Sequence, residues 1–151
     1  MNNSVAYATL MLLAGMGIPT MAAINSGLGE KLQSPSLASA ILLLFGSSVV
    51  VAYLLMTEGL PELFITNNIP AYFYLGGFFI AFYILTVTTI APRFGIANAI
   101  SFVLLGQLIA MTLIDHYGWL GALQVTANQQ RLLGIACMVL GVFLVLKRPA
   151  A

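Results

Sequence analysis

Asp115 and His116 are the most obvious candidates for chemistry in this sequence, because a carboxylate beside an imidazole is a common acid–base arrangement. No serine or cysteine nucleophile accompanies the pair in a recognisable pattern, and no third metal ligand follows at a suitable spacing. We therefore expect no catalytic residue, no metal site, no cofactor and no enzyme activity. The simpler interpretation is a solvated helix end at which Asp115 caps the following turn. A gating role for both residues at the outer mouth of a membrane protein is the alternative.

A second set of candidates lies in the apolar stretch "GMGIPTMAAIN", which contains Gly15, Gly17, Pro19, Thr20 and Asn25. Pro19 cannot donate a hydrogen bond to the Gly15 carbonyl, and its ring crowds that carbonyl, so the stretch weakens a helix. In lipid, a freed carbonyl is tolerated only where protein or a wet cavity satisfies it. The weak point is either a kink that improves packing or a hinge beside a substrate site. The hinge interpretation makes all five residues substrate-site candidates.

The remaining candidates are neutral, because no charged side chain lies in the core of a predicted span and a mid-membrane proton-coupling acid is therefore not expected. The Gln107 amide needs a partner, which is either a neighbouring helix or a ligand in a cavity. Tyr83 suits an interhelical hydrogen bond or stacking on a ligand cation. Asn98 is predicted to be structural or part of a gate. The Ser101 hydroxyl is expected to bond back to its own helix.

The composition defines the setting for these residues. The chain has 151 residues, of which 61% are hydrophobic and 6% charged, and its mean hydropathy is +1.04. Soluble domains contain about 25% charged residues, so the chain is predicted to be a membrane protein in contact with lipid. The sequence has no basic run for binding nucleic acid, and its single cysteine, Cys137, cannot form an intramolecular disulfide.

The few charged residues separate the apolar segments. A span needs roughly 20 apolar residues, and the sequence provides enough for an all-α membrane protein with a single five-helix domain over residues 1–151. The predicted helices lie near 4–25, 35–57, 70–90, 94–114 and 127–146. Short connections, such as residues 26–34 and the "APRFG" stretch, join them. No soluble domain and no internal repeat is evident.

The positions of Lys and Arg predict the orientation, because positive charges favour the cytoplasmic side. Lys31, Arg93, Lys147 and Arg148 fall on one side of the predicted topology, and Arg131 falls alone on the other. We therefore expect an external N-terminus and a cytoplasmic C-terminus. Five helices cannot divide into two equal halves, so a transporter built from such a unit is expected to need a second chain.

Several ordered motifs carry a family resemblance. The segments "GMGIPTMAAINSGLGEKLQSPSLASAILLLFGS", "YLGGFFIAFYI", "APRFGIANAISFVLLGQLIAMTLIDHYGWLG" and "RLLGIACMVLGVFLV" cover nearly the whole chain. Together they resemble the small five-helix bacterial membrane proteins of the YdcZ type, although Thr20 stands where that family often has glutamine. The YdcZ family is similar to one half of the drug/metabolite transporter superfamily. The resemblance implies a ten-helix assembly of two inverted five-helix units that works by alternating access.

The leading functional hypothesis is therefore a transporter subunit of the bacterial inner membrane. Its partners are expected to be a second five-helix chain, either an inverted copy of itself or a related protein, and a small organic metabolite or drug-like substrate. The weak point of the first helix, Tyr83 and Gln107 are expected to line a neutral polar cavity. The main alternative is a membrane scaffold or accessory subunit that transports nothing. A membrane-embedded enzyme is the weakest of the hypotheses.

Overall fold

The computed structural model describes residues 3–59 and 70–146, and helices are the regular structure throughout these residues. They are α1 (Asn3–Lys31), α2 (Pro35–Thr57), α3 (Gly76–Phe94), α4 (Ile96–Tyr117) and α5 (Gln129–Leu146), with 3₁₀ turns at Ala71–Leu75 and Trp119–Gly121. In the described part of the chain, four helical segments are long and apolar enough to cross a membrane, while α5 is a shorter apolar helix. The predicted all-α membrane class is confirmed.

The chain divides into two compact units, residues 1–93 and 94–151. The first unit contains α1, α2 and nearly all of α3, and α1 packs against α2. The second contains α4 and α5, which also pack against each other. A single five-helix domain stays a prediction.

The end of α1 differs from the prediction, because the helix continues past residue 25 to Lys31. The backbone then closes a Schellman motif. The Gln33 N–H donates to the Glu30 carbonyl at 3.1 Å, and the Ser34 N–H donates to the Gly29 carbonyl at 3.1 Å. Gln33 adopts the left-handed conformation with φ 52°, which is usually left to glycine. The predicted connection over residues 26–34 is therefore wrong for its first six residues.

The bounds of α2 are confirmed. The Ser34 hydroxyl accepts a hydrogen bond from the Leu37 N–H at 3.2 Å, and Pro35 occupies the first turn, where its missing N–H costs nothing. The helix then continues without interruption to Thr57.

The junction between α3 and α4 is shorter than predicted. The helix passes through Pro92 to Phe94, so the "APRFG" stretch is mostly helical, and Gly95 alone, with φ 92°, separates α3 from α4. α4 then extends to Tyr117 and ends at the left-handed Gly118. The predicted ends at residues 90 and 114 were therefore too early, because the glycines with positive φ stop these helices and Pro92 does not. α5 begins at Gln129 rather than residue 127. Residues 60–69 of the predicted second connection, Lys147 and Arg148 lie outside the described residues.

The core of the first unit is built from small residues. Its buried members recur at helical spacing on α1, α2 and α3: Ala22, Asn25, Ser26, Gly29, Ala38, Ser39, Ile84, Val87, Thr88 and Ala91. Small side chains let helix backbones approach closely, which is how helices associate in lipid. Large apolar side chains such as Leu44, Phe45 and Met56 are exposed instead. This arrangement suits a protein whose outer surface meets hydrocarbon.

Candidate functional site

The predicted weak point of α1 lies on the open surface of the first unit. α1 passes through Pro19 without interruption. A Cβ atom at Gly15 or Gly17 would meet nothing within 4 Å, so no close helix contact requires either glycine. The Thr20 hydroxyl donates to the Met16 carbonyl at 3.0 Å within its own helix. The structure therefore leaves this segment uncovered in the single chain.

Asn25, one further turn along α1, is buried and bonded. Its side-chain amide donates to the Thr88 hydroxyl of α3 at 2.6 Å. Asn25 is 3% exposed and Thr88 is 2% exposed, so lipid and water are both excluded from this bond. The amide therefore joins α1 to α3.

Gly29 explains how the helices meet beside that bond. A Cβ atom on Gly29 would lie 3.2 Å from the Thr88 Cγ2 and 3.3 Å from the Pro35 Cα. Both distances are shorter than ordinary van der Waals contact between carbon atoms. The missing side chain therefore allows α1, the start of α2 and α3 to pack together at one point.

Two cavities flank this packing point within the first unit. The apolar groove lies between α1 and α2, has a volume of about 290 Å³, and is lined by Met21, Ile24, Asn25, Leu28, Ile41, Leu42 and Phe45. The other cavity, of about 340 Å³, lies where α1 and α3 end, and we call it the inner-end cavity after the predicted orientation. Glu30, Gln33, Thr89 and Arg93 contribute to its wall together with Gly29 and Pro35. Only Asn25 of the predicted substrate residues borders either cavity.

Tyr83 of α3 is half-buried, and its hydroxyl group is enclosed. Among the described residues the hydroxyl oxygen has no hydrogen-bond partner. Burying a hydroxyl without a partner costs about 1–3 kcal/mol. The position therefore favours a hydrogen-bond partner from outside the described residues. The predicted interhelical hydrogen bond does not form within the described part of the chain.

Gln107 belongs to the second unit and is exposed. It lies eleven residues after Ile96 and ten residues before Tyr117, which is the middle of α4. Whether Gln107 faces inward in an assembled protein stays a prediction. The neighbouring polar groups behave differently, because the Ser101 hydroxyl bonds to the Ala97 carbonyl at 2.8 Å, as predicted. The Asn98 amide donates to the Phe94 carbonyl at 2.7 Å and so braces the start of the helix.

Asp115 and His116, at the end of α4, contact α5 and the connection that leads to it. Asp115 forms an ion pair with Arg131, with 2.7 Å between Oδ2 and the guanidinium nitrogen. The expected cap on the following turn is wrong, since the connection folds back and brings the first turn of α5 to this carboxylate. The His116 Nδ1 accepts a hydrogen bond from the Ala127 N–H at 3.1 Å. Both side chains are thus engaged in closing the connection, and within residues 3–59 and 70–146 no group of three potential metal ligands occurs.

Sequence reasoning missed three residues that the structure makes important: Thr88, Gly29 and Arg131. Thr88 pairs with a residue 63 positions away, and no local pattern indicates such a pairing. Gly29 resembles the other glycines of α1 in sequence. The ion pair of Arg131 joins residues 16 positions apart, and the glycines of the connection mark a turn without indicating which residues the turn brings together.

The model of one protein family, described as "putative inner membrane exporter, YdcZ", matches residues 6–144 of the chain. The chain belongs to this family. The family and the apolar helices together identify a multi-pass inner-membrane protein with a role in membrane transport. No curated protein and no solved structure matches the chain. The resemblance noted in the sequence motifs is confirmed, and the family description favours a transport protein over an enzyme.

Proposed function

We propose that this YdcZ-family chain is one subunit of a transporter that moves a small organic metabolite or drug-like compound across the inner membrane by alternating access. The observation that carries the proposal is the exposed amide of Gln107 halfway along α4. Leaving an amide in hydrocarbon without a partner costs several kcal/mol. Polar side chains at this depth face a protein partner or a water-filled cavity. A second chain and a substrate pathway together provide such surroundings.

The partner in this proposal is a second five-helix chain, either an inverted copy or a related protein. The odd number of helices supports it, because transporters are commonly built from two related halves around a midplane site. α1 and α4 expose large apolar side chains and also glycines, including Gly15 and Gly106. These exposed faces leave surface for such a partner.

Gln107 and Tyr83 are the proposed polar contacts for the substrate, because one side chain is exposed at mid-span and the other has an enclosed hydroxyl without a partner in the described residues. Gly15, Gly17, Pro19 and Thr20 are proposed to form a hinge in α1. Asn25 contributes by holding α1 against α3 through Thr88. Asn98, Asp115 and His116 brace the two ends of α4.

The proposed orientation has the N-terminus outside and the C-terminus in the cytoplasm. Glu30 and Arg93 line one cavity, so the cation-bearing ends of α1 and α3 lie at the same end of the first unit, which supports the charge argument. Reporter fusions at the C-terminus test it. A cytoplasmic signal alone supports a single orientation and a distinct partner chain, whereas mixed signals support an inverted homodimer.

Transport itself is tested in proteoliposomes with a broad panel of labelled organic compounds. Gln107→Ala should lower the transport rate of the compound that is carried by about 5- to 150-fold, because losing one polar contact in the assembled site is worth roughly 1–3 kcal/mol. Ser101→Ala is the matched control on the same helix, since its hydroxyl is already bonded to Ala97, and it should transport normally. Full transport by Gln107→Ala contradicts the site. Absence of transport across the whole panel contradicts the function and favours a scaffold.

A further inference from the structure

The inner-end cavity holds one carboxylate and one guanidinium in the same wall. Glu30 comes from the last turn of α1 and Arg93 from the last turn of α3. Glu30 and Arg93 do not form an ion pair at 4 Å or less. Within residues 3–59 and 70–146, the ion pair found at that distance is between Asp115 and Arg131. Two opposite charges that share a cavity without pairing are available to a ligand that carries both signs.

Neutral groups complete the wall. Gln33 offers an amide and Thr89 a hydroxyl, although that hydroxyl also donates to the Leu85 carbonyl at 2.7 Å. The volume of about 340 Å³ lies in the range of small-molecule sites. Gly29 lies close to Thr88 and Pro35 in the same wall, so the helix backbones that carry these groups are packed together. The Glu30, Gln33, Thr89 and Arg93 side chains themselves are exposed and therefore accessible to a ligand.

We propose that the inner-end cavity binds a small zwitterion, with an oxyanion on Arg93 and an ammonium group on Glu30. The planar guanidinium presents paired donors that match a carboxylate or phosphate, and the Glu30 carboxylate accepts hydrogen bonds from an ammonium group. This proposal is independent of transport, because it concerns binding at one end of the first unit.

Two sources offer this chemistry at the membrane surface. One is the headgroup of phosphatidylethanolamine, since the cavity lies where the apolar spans end and headgroups begin. The other is a free zwitterion such as phosphoethanolamine or an amino acid. Both place an oxyanion and an ammonium group a few bonds apart on one molecule.

Equilibrium binding to the purified full chain in detergent distinguishes these cases. The probes are phosphoethanolamine, glycine, a short-chain phosphatidylethanolamine, and, as single-charge controls, inorganic phosphate and ethanolamine. At least one zwitterion should bind about tenfold or more tightly than either single-charge control, because it adds a second charged contact. Binding of phosphoethanolamine or glycine identifies a free ligand. Binding of the lipid alone identifies a headgroup site.

Three variants assign the contacts. Glu30→Gln and Arg93→Gln should each weaken zwitterion binding about tenfold, and Arg93→Lys, which keeps the charge but loses the planar fork, should weaken it less. Lys31→Gln is the matched control, since Lys31 follows Glu30 and lies outside the cavity wall, and it should bind normally. Circular dichroism and micelle-solubilised yield establish that each variant is folded. Unchanged binding in Glu30→Gln, equal binding of phosphate alone, or no saturable binding of any zwitterion would each overturn the proposal.

Discussion

α1 contains two segments with glycine and polar residues, 15–20 and 22–29, and the structure treats them differently. The first segment is exposed except at half-buried Ile18 and Pro19, and a side chain added at Gly15 meets open space. The second includes buried Asn25 and Ser26, and a Cβ atom added at Gly29 lies only 3.2 Å from Thr88 and 3.3 Å from Pro35. A small residue in a membrane helix makes close packing feasible, but what lies opposite decides whether packing occurs. The second segment therefore packs within the first unit, whereas the first segment remains available for contact with a partner or a substrate, or for bending.

The sharpest test of this contrast enlarges one glycine in each segment. Gly29→Leu should lower the free energy of unfolding by about 3 kcal/mol, at the upper end of the usual cost of overpacking, because backbone at Pro35 cannot yield easily. Gly15→Leu should not lower it, and should raise it by up to about 1 kcal/mol because leucine has a higher helix propensity than glycine. Unfolding in mixed detergent micelles measures both. Equal losses at the two positions would show that the first segment is also packed.

Removing the buried hydrogen bond is expected to have the next largest effect. Asn25→Ala and Thr88→Val should each lower the free energy of unfolding by about 1–2 kcal/mol, because each removes one side of the buried hydrogen bond and leaves the other side without its partner. The double variant should cost less than the sum by about 0.6–1.7 kcal/mol, the coupling expected for a hydrogen bond between membrane helices. The same unfolding assay gives all three values. Strict additivity would mean that the 2.6 Å contact contributes no coupling energy.

Pro19 tests whether the open segment moves. Pro19→Ala restores a donor for the Gly15 carbonyl and should stabilise the chain by about 1 kcal/mol, the typical net value of one hydrogen bond. If the segment is a hinge, the same variant should also slow transport in proteoliposomes. Gly46→Ala serves as the control, since Gly46 lies in α2 outside the proposed hinge, and the change raises helix propensity by roughly 0.5–1 kcal/mol without supplying that donor. Wild-type transport rates in Pro19→Ala would contradict the hinge and leave the proline as a packing feature.

The smallest effect is expected at the end of the packed segment. Gln33 adopts a left-handed conformation in the Schellman motif, so Gln33→Gly should relieve the conformational strain and stabilise α1 by roughly 0.5–1 kcal/mol. Gln33→Ala keeps a Cβ atom and should not share the gain. A loss of stability in the glycine variant would indicate that the Gln33 side chain itself supports the helix end.

The predictable parts of this structure are those whose signals are local. Ser34 and Pro35 mark the start of α2, and both bounds of that helix follow from the cap and the apolar run. The end of α1 escaped prediction because a glutamine occupies the position where glycine usually signals a stop. The predicted end of α3 was too early because it treated Pro92 as a stop, whereas α3 continues through Pro92 to Phe94. A membrane helix can accommodate a proline that would end a helix in a soluble protein.

The candidate site was less predictable, because a polar residue in a span can satisfy itself, a neighbour or a ligand, and sequence does not distinguish these. Thr20 and Ser101 bond within their own helices, whereas Asn25 reaches another helix. Gln107 is exposed in the single chain. Whether it contacts a substrate stays a prediction.

The hydrogen bond between Asn25 and Thr88 cannot form until the ribosome has synthesised Thr88. The two residues are 63 positions apart, so at about 5–20 residues per second the ribosome needs roughly 3–13 s to supply the threonine after the asparagine. During that interval α1 enters the membrane carrying an amide whose native acceptor does not yet exist. Hydroxyl groups such as that of Thr20 have no such delay, since their acceptors are four residues earlier. Until Thr88 has been synthesised, the nascent first helix therefore exposes this amide to insertion chaperones and membrane proteases.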